Sequence, residues 1–356
     1  MGIVEPTWPD VVSTLLHGAD LTTQQATWAW ERIMRGEARP AQIAGFVVAL
    51  RAKGETVGEL TALAEEMLRH AHRIEVPGPS LDIVGTGGDQ AHTVNISTMA
   101  AIVCAAAGAT VVKHGNRAAS SRSGTADVLE ALGIHVTLTP DQVVDVACRA
   151  GITLCFAQVF HPAMRHAAQT RRDLGVPTVF NVLGPLTNPA QPTCSAIGVA
   201  DARLAPLVAG VFASRGRAAV VFRGDDGLDE LTLSTSSQFW WVQQGQVITG
   251  SITPEDLGLS RAPLSALRGG DPQHNATVVH DLVSGVRGPV RDAVVLNAGA
   301  ALATLPKSGT TGPELSSQPE LMRRLRAGMD QAEEALDSGA AQQRLALWRE
   351  VSREYL

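Results

Sequence analysis

The chain reads as an α/β protein: a small all-helical N-terminal domain plus a large domain with a mainly parallel central sheet flanked by helices. Three observations predict this. Residues 8–72 carry helical periodicity and no strand pattern. From residue 81 short apolar runs alternate with helical segments, as in a parallel sheet covered on both faces. At 356 residues the chain exceeds what one compact core usually organises.

The elements follow in order. "LTTQQATWAWERIMRG" offers Thr22 or Thr23 as an N-cap and Gly36 as a stop. "RPAQIAGFVVALRAKG" places Ile43, Phe46, Val47 and Leu50 on one helical face and ends at Gly54. "ETVGELTALAEEMLRHAHR" repeats the pattern, and PGPS at 77–80 reads as a linker. Beyond it, "LDIVGTGG" is strand then turn, "TVNISTMAAIVCAAAG" a helix, and "ATVVKHGN" strand then turn. "SGTADVLEALG" is a helix, "HVTL" a strand, "TPDQVVDVACRAG" a helix with a Thr-Pro start, and "ITLCFA" a strand. "HPAMRHAAQTRRDLG" is a further helix, and "FNVLGPLTNP" a Pro/Gly-bounded connection. "RAAVVFRG" and "ELTLS" read as strands flanking an acidic turn, and "QFWWVQQGQVITGSIT" alternates as a hairpin. Two charged helices, 318–337 and 340–355, end the chain. The expected division is 1–75 as the helical domain, with a returning helical segment at about 161–184, and 76–160 with 185–356 as the α/β domain.

Composition narrows the function. The net charge is −6 and no lysine-rich run occurs, so general affinity for nucleic acid is not expected. An anionic substrate must then meet local positive charge. The four cysteines form no CxxC pair, which argues against a zinc site or a disulfide framework and fits a reducing cytoplasm. The opening MGIVEPTWPD lacks the pattern of a signal peptide, and the longest apolar run is too short to span a membrane. A soluble, cytoplasmic protein is expected.

In an open parallel sheet ligands bind at the carboxyl ends of the strands, and three loops there carry unusual residues. In GTGGD (85–89), glycines admit backbone N–H groups close to an anion. Taken alone it is equally a phosphate loop or a tight turn; the Asn95-Ile-Ser97-Thr98 helix start favours phosphate. It is neither a dinucleotide fingerprint, since Gln90 occupies the third glycine position, nor a Walker A loop. Asp89 is the puzzle, because an acid repels phosphate. It could bond loop N–H groups or a ribose hydroxyl, or lie near a metal. The second loop, "KHGNRAASSRSGTAD", brings positive charge with Lys113, His114 and Arg117, and hydrogen-bonding groups with Asn116, Ser120 and Ser121. The third, "GDDGLDELTLS", crowds Asp225, Asp226, Asp229 and Glu230 into six positions. Hard carboxylates beside a polyphosphate point to Mg²⁺, with Asp229 and Glu230 as ligands. Arg171 and Arg172 are either a bidentate carboxylate clamp or exposed. His161 reads as a turn or core histidine.

Taken together, D-I-V-G-T-G-G-D at 82–89, N-I-S-T at 95–98, K-H-G-N-R-A-A-S-S at 113–121, G-T-A-D-V-L-E-A-L-G at 124–133, H-P-A-M-R at 161–165, F-N-V-L-G-P-L-T-N-P at 180–189 and D-G-L-D-E at 226–230 are similar to the anthranilate phosphoribosyltransferases of tryptophan biosynthesis. The resemblance implies attack of the anthranilate amine on phosphoribosyl pyrophosphate, Mg²⁺ as cofactor, and a homodimer joined through the helical domain. It implies that Gly85, Gly87, Gly88, Asp89, Thr93, Asn95, Ser97, Thr98, Lys113 and Ser121 surround phosphoribosyl pyrophosphate. Gly85, His114, Asn116 and Arg171 would handle anthranilate, and Ser97, Asp229 and Glu230 the metal. Lys113, Asp229 and Glu230 would be catalytic. One departure is Ala168-Gln169-Thr170, where the family usually has a proline and a valine before the arginine. A nucleoside phosphorylase of similar fold is the nearest rival, and it would need no carboxylate–Mg²⁺ pair. A regulatory nucleotide-binding protein that keeps the fold would not need this set of polar residues.

Overall fold

The computed structural model describes residues 5–118, 122–306 and 318–356. It opens with four helices: α1 Trp8–Leu16, α2 Thr23–Met34, α3 Pro40–Lys53 and α4 Val57–Arg69. Thr7, Thr22 and Thr56 cap α1, α2 and α4, each accepting the N–H three residues on while that residue's side chain bonds back. Gly54 closes α3 at φ 93°, a left-handed value that costs glycine little. Trp30, Ile33, Phe46, Leu50, Leu60 and Leu63 fill the space between these helices.

The α/β part begins with β1 Leu81–Gly85, α5 Ile96–Ala106, β2 Val111–Gly115, α6 Thr125–Ala131, α7 Pro140–Ala150 and β3 Ile152–Phe156. The short α8 Ala157–Phe160 leads through a 3₁₀ turn to α9 Arg165–Leu174 and α10 Phe180–Leu186. There follow β4 Cys194–Gly198, α11 Ala205–Ser214, β5 Ala218–Gly224 and the hairpin β6 Ser237–Gln243 and β7 Gln246–Ile252. Helices α12 Pro272–Val283, α13 Pro289–Ala303, α14 Gln318–Asp337 and α15 Ala340–Arg353 complete the chain. Among the described residues no helix is long and apolar enough to cross a membrane.

The sheet order is β3-β2-β1-β4-β5-β6-β7. The first five strands are parallel, and β6 and β7 add antiparallel at one edge. One apolar cluster gathers α5, α13, α14 and α15 against the sheet. The other joins α1–α4 to α11 and to Ala167, Val179, Phe180 and Leu183, so α9 and α10 return to pack with the first helices.

Three expectations fail. HVTL (135–138) and ELTLS (230–234) form no strand, and FNVLGPLTNP contains a helix, α10. In the first two, the apolar residues are buried without a neighbouring strand: His135 donates its N–H to the Ser352 hydroxyl, and Leu231 bonds a side chain. In the third, Pro185, which has no N–H to donate, sits in the last turn of the seven-residue α10, where it ends the helix instead of preventing it. Strand β4, the sheet's central partner to β1, carries CSAIG, too small and too short a run to announce itself.

Candidate functional site

The strand order reverses between β1 and β4, and the crevice at their carboxyl ends is the place where such sheets bind ligands. Gly85 and Gly198 end these strands and stand in register. Neither has room for a side chain. A Cβ on Gly85 would overlap the Asp229 carboxylate, and one on Gly198 the Asp229 carbonyl. The segment after β5 therefore folds back onto the crevice, and Gly87 donates its N–H to Asp229 Oδ2 at 2.7 Å.

The GTGGD loop rises over this floor. Gly87 and Gly88 adopt φ 67° and 85°, and Gln90 and His92 also take positive φ, which side chains adopt at a cost. Bonds from Val94 N–H to Leu267 O (2.9 Å) and Gly269 N–H to His92 O (2.8 Å) hold the loop, and Thr93 bridges Arg268. Asp89 Oδ1 accepts the Ala91 N–H at 3.1 Å, so the acid stabilises the turn from within, and it also lies against Asp229. Asn95 precedes α5 without capping it. Its amide instead donates to Ser123 O (3.1 Å) and accepts from Asn275 Nδ2 (2.8 Å), tying the first two loops together. The Ser97 N–H faces Glu230, and the buried Thr98 Oγ1 has no partner among the described residues.

Lys113, fully buried, lies beneath the loop. Its Nζ donates to the Ile83 carbonyl and to Ser97 Oγ. Burial pulls its pKa down, opposed by the charges of Asp82, Glu230 and Asp229. His114 donates its N–H to Asp82 Oδ1 (3.1 Å), and its Nδ1 meets the Gly184 carbonyl at 2.9 Å. Burial pushes its pKa down to about 4, so the ring is neutral and does not bring the positive charge expected of it. Asn116 is exposed and accepts the Arg117 N–H. Arg117 adds no charge to the crevice, contrary to expectation: Glu130 grips it bidentately at 2.6 and 2.7 Å, and Asp127 adds a third bond. Ser120 and Ser121 lie outside the described residues.

The acidic turn divides in two. Asp225 takes bonds from Ser236 and Gln238, and Asp226 from Leu228 N–H, Thr232 and Ser234. Asp229 and Glu230 are buried side by side. Burial raises both, Asp229 to about 7 with Asp89 adding to it, and Glu230 well up with Asp229 adding. Asp89, Asp229 and Glu230 thus meet, and the last two, with Asp82, share one buried lysine. Among the described residues no three His, Cys, Asp or Glu side chains are spaced to hold a metal by themselves. This donor set of hard, under-neutralised oxygens beside a hydroxyl fits Mg²⁺, which takes one or two carboxylates and completes its shell with phosphate and water.

Arg171 and Arg172, neighbours on α9, differ. Arg172 is exposed and bonds Gln169 at 2.7 Å. Arg171 is half-buried without an ion pair among the described residues, and burial lowers its pKa. Sequence reasoning missed Asp82 and Asn188. The buried Asp82 accepts from Asn188 Nδ2 (2.8 Å) as well as from His114, and so orients the end of β2. Its signal was an acid inside a five-residue apolar strand. His161 is a core histidine as expected, with Nε2 3.0 Å from Thr187 O and its ring 5.1 Å from that of His114.

Comparison with known proteins decides the family. Residues 78–342 match the glycosyl transferase family a/b domain, and residues 9–71 its helical bundle domain. The anthranilate phosphoribosyltransferase of Thermobifida fusca is 57% identical over 349 residues, covering 98% of each chain. The chain belongs to the anthranilate phosphoribosyltransferases. The family's Thermus thermophilus crystal structure superposes with a TM-score of 0.87 at 41% identity, covering 97% of this chain and 99% of that one. The Saccharomyces cerevisiae member, solved in complex with PRPP and Mg, superposes at 0.85 with 27% identity over 99% of this chain and 100% of that one. The yeast enzyme has also been solved with 4-fluoroanthranilate.

Proposed function

We propose that this chain transfers the phosphoribosyl group of phosphoribosyl pyrophosphate to the amine of anthranilate, giving N-(5-phosphoribosyl)anthranilate and pyrophosphate, in tryptophan biosynthesis. The observation that carries the reading is the buried, donor-poor pair Asp229–Glu230, folded onto Gly85 and Gly198 below a strained glycine loop. Bound Mg²⁺ supplies positive charge to the pyrophosphate, and Asp229, Glu230 and Ser97 are the groups that would hold it.

Gly85, Gly87, Gly88, Asp89, Thr93, Asn95, Ser97, Thr98, Lys113 and Ser121 form the phosphoribosyl pyrophosphate subsite. Backbone N–H groups of the glycine loop and the first turn of α5 face its phosphates. Asp89 keeps the loop in shape. Lys113, buried under Ser97, adds charge where the leaving group gathers its own. Gly85, His114, Asn116 and Arg171 form the anthranilate subsite, with Arg171 pairing the carboxylate. An aromatic amine is already neutral at pH 7, so it attacks without a strong base. His114 fits that chemistry, because it is held neutral by burial. Catalysis then rests on fixed approach and electrostatic stabilisation of the leaving pyrophosphate.

The same reading gives a helical domain of 1–75 with 161–184 returning to it, and an α/β domain of 76–160 and 185–356. It also gives a homodimer through the helical domain, a role that the exposed Leu16 and Val48 support, and a cytoplasmic setting. The test is the loss of anthranilate fluorescence by the purified chain. Loss that requires both phosphoribosyl pyrophosphate and Mg²⁺ is expected; no loss with all three present overturns the reading.

A further inference from the structure

The Asp229–Glu230 segment belongs to no strand or helix, so no backbone ladder fixes it. Something else must hold the two carboxyl groups in one geometry. Leu231, next in the chain and 1% exposed, shows what does. Its N–H donates to Asn297 Oδ1 at 2.9 Å, and its carbonyl accepts from Asn297 Nδ2 at 3.0 Å. The second proton of that amide goes to the Ala293 carbonyl at 2.9 Å. Asn297 is fully buried, midway along α13, where an asparagine is a poor helix former and an unpaired amide would be costly. Both its donors and its carbonyl oxygen are engaged, two of the three bonds by one residue beside the acids.

The helix that carries it has little freedom. Gly299 and Gly328 bring α13 and α14 so close that a Cβ on Gly328 would overlap the Gly299 carbonyl. Gly85 and Gly198 in turn leave Asp229 no space to retreat. The acids are thus set between a glycine floor and an amide clamp. We propose that Asn297 is a positioning residue for the Asp229–Glu230 pair: it fixes the carboxylates through the backbone of Leu231 and so sets how the chain receives Mg²⁺ with phosphoribosyl pyrophosphate. This rests on the function proposed above. The chemistry demands an amide. Leucine has similar shape but leaves the Leu231 N–H and C=O unpaired, and aspartate cannot donate and adds a further buried negative charge.

The test compares Asn297→Ala with Val295→Ala, a truncation in the same buried helix that leaves the clamp intact. Three quantities are read on the full chain: turnover, the apparent Mg²⁺ constant, and the rise in melting temperature given by Mg²⁺ with phosphoribosyl pyrophosphate in the absence of anthranilate. Asn297→Ala is expected to weaken Mg²⁺ and turnover by roughly 10- to 100-fold and to lose most of that rise, as outer partners of metal ligands do. Val295→Ala should lower the starting melting temperature while keeping all three responses close to wild type. Should Asn297→Ala fail to fold, Asn297→Ser, which keeps one short polar group, takes its place and should fall between. Equal responses from the Asn297 and Val295 variants overturn the inference. A wild-type chain that shows the thermal rise without consuming anthranilate overturns the substrate reading instead, and the Asn297 comparison still stands on that rise.

Discussion

Two pairs of acids share one short turn and meet opposite environments. Asp225 and Asp226 are met by hydroxyls, an amide and a backbone N–H, so the turn uses them to fold. Asp229 and Glu230, three residues further on, are buried with few donors, and neighbouring acids add to the cost, Asp89 beside Asp229 and Asp229 beside Glu230. The arginines repeat the contrast, Arg117 gripped by Glu130 and Asp127, Arg171 half-buried with no counterion among the described residues. Burying a charge without a partner is unfavourable, so a fold that keeps such groups together is reserving them for something absent from the chain.

The acids should show the largest effect. Asp229→Asn with Glu230→Gln should cut turnover by on the order of 100- to 1000-fold while far-UV dichroism stays native. Asp225→Asn with Asp226→Asn should lower the melting temperature and leave turnover near wild type. Near-normal Mg²⁺-dependent rates in the first variant would remove the metal assignment. The glycines come next. Gly198→Ala drives a methyl into the Asp229 carbonyl and should cost about 100-fold in turnover through displacement of the acids. Gly210→Ala meets only Val57, between α11 and α4, and should affect stability alone. Equal rate losses in the two would mean that the floor under Asp229 has no special role.

How much of this was legible beforehand follows the same division. Helix caps such as Thr22 and stops such as Gly54 are local, so α2, α3 and α4 could be read directly. The GTGGD turn and the Asp229–Glu230 pair stood out by composition. What could not be read was long-range pairing. Nothing beside Arg117 in the sequence announces that Asp127 and Glu130 will neutralise it. ELTLS alternates like a strand, yet Leu231 finds its partner 66 residues away on α13. Asp82 was hidden because its partners, His114 and Asn188, arrive from another strand and a loop. The puzzle of Asp89 dissolves for the same reason, since its bond to Ala91 N–H is a feature of the turn.

The arginines give a smaller effect. Arg171→Ala should raise the KM for anthranilate by roughly 10- to 100-fold, the worth of a charged hydrogen bond, and leave that for phosphoribosyl pyrophosphate little changed. Arg117→Ala should leave both constants near wild type and lower stability slightly. If Arg171→Ala moved both constants equally, Arg171 would not be the carboxylate clamp.

The histidines carry the contrast within single side chains, because each is satisfied on one side only. His114 bonds Gly184 and His161 bonds Thr187, while the other ring nitrogen of each has no partner among the described residues. Burial holds the pKa at about 4 for His114 and about 3 for His161, against an ordinary value of 6.5. The unfolded chain therefore binds protons that the folded chain refuses. Stability from this source is whole above pH 6.5 and falls as the pH drops from there through the folded values. The slope is at most about 1.4 kcal/mol per pH unit for each ring. Urea midpoints measured between pH 7.5 and pH 5 should fall more steeply for the wild-type chain than for His161→Gln, which cannot take up a proton. Parallel curves would show that His161 is not held neutral by the fold, and that its half-satisfied ring carries no electrostatic cost.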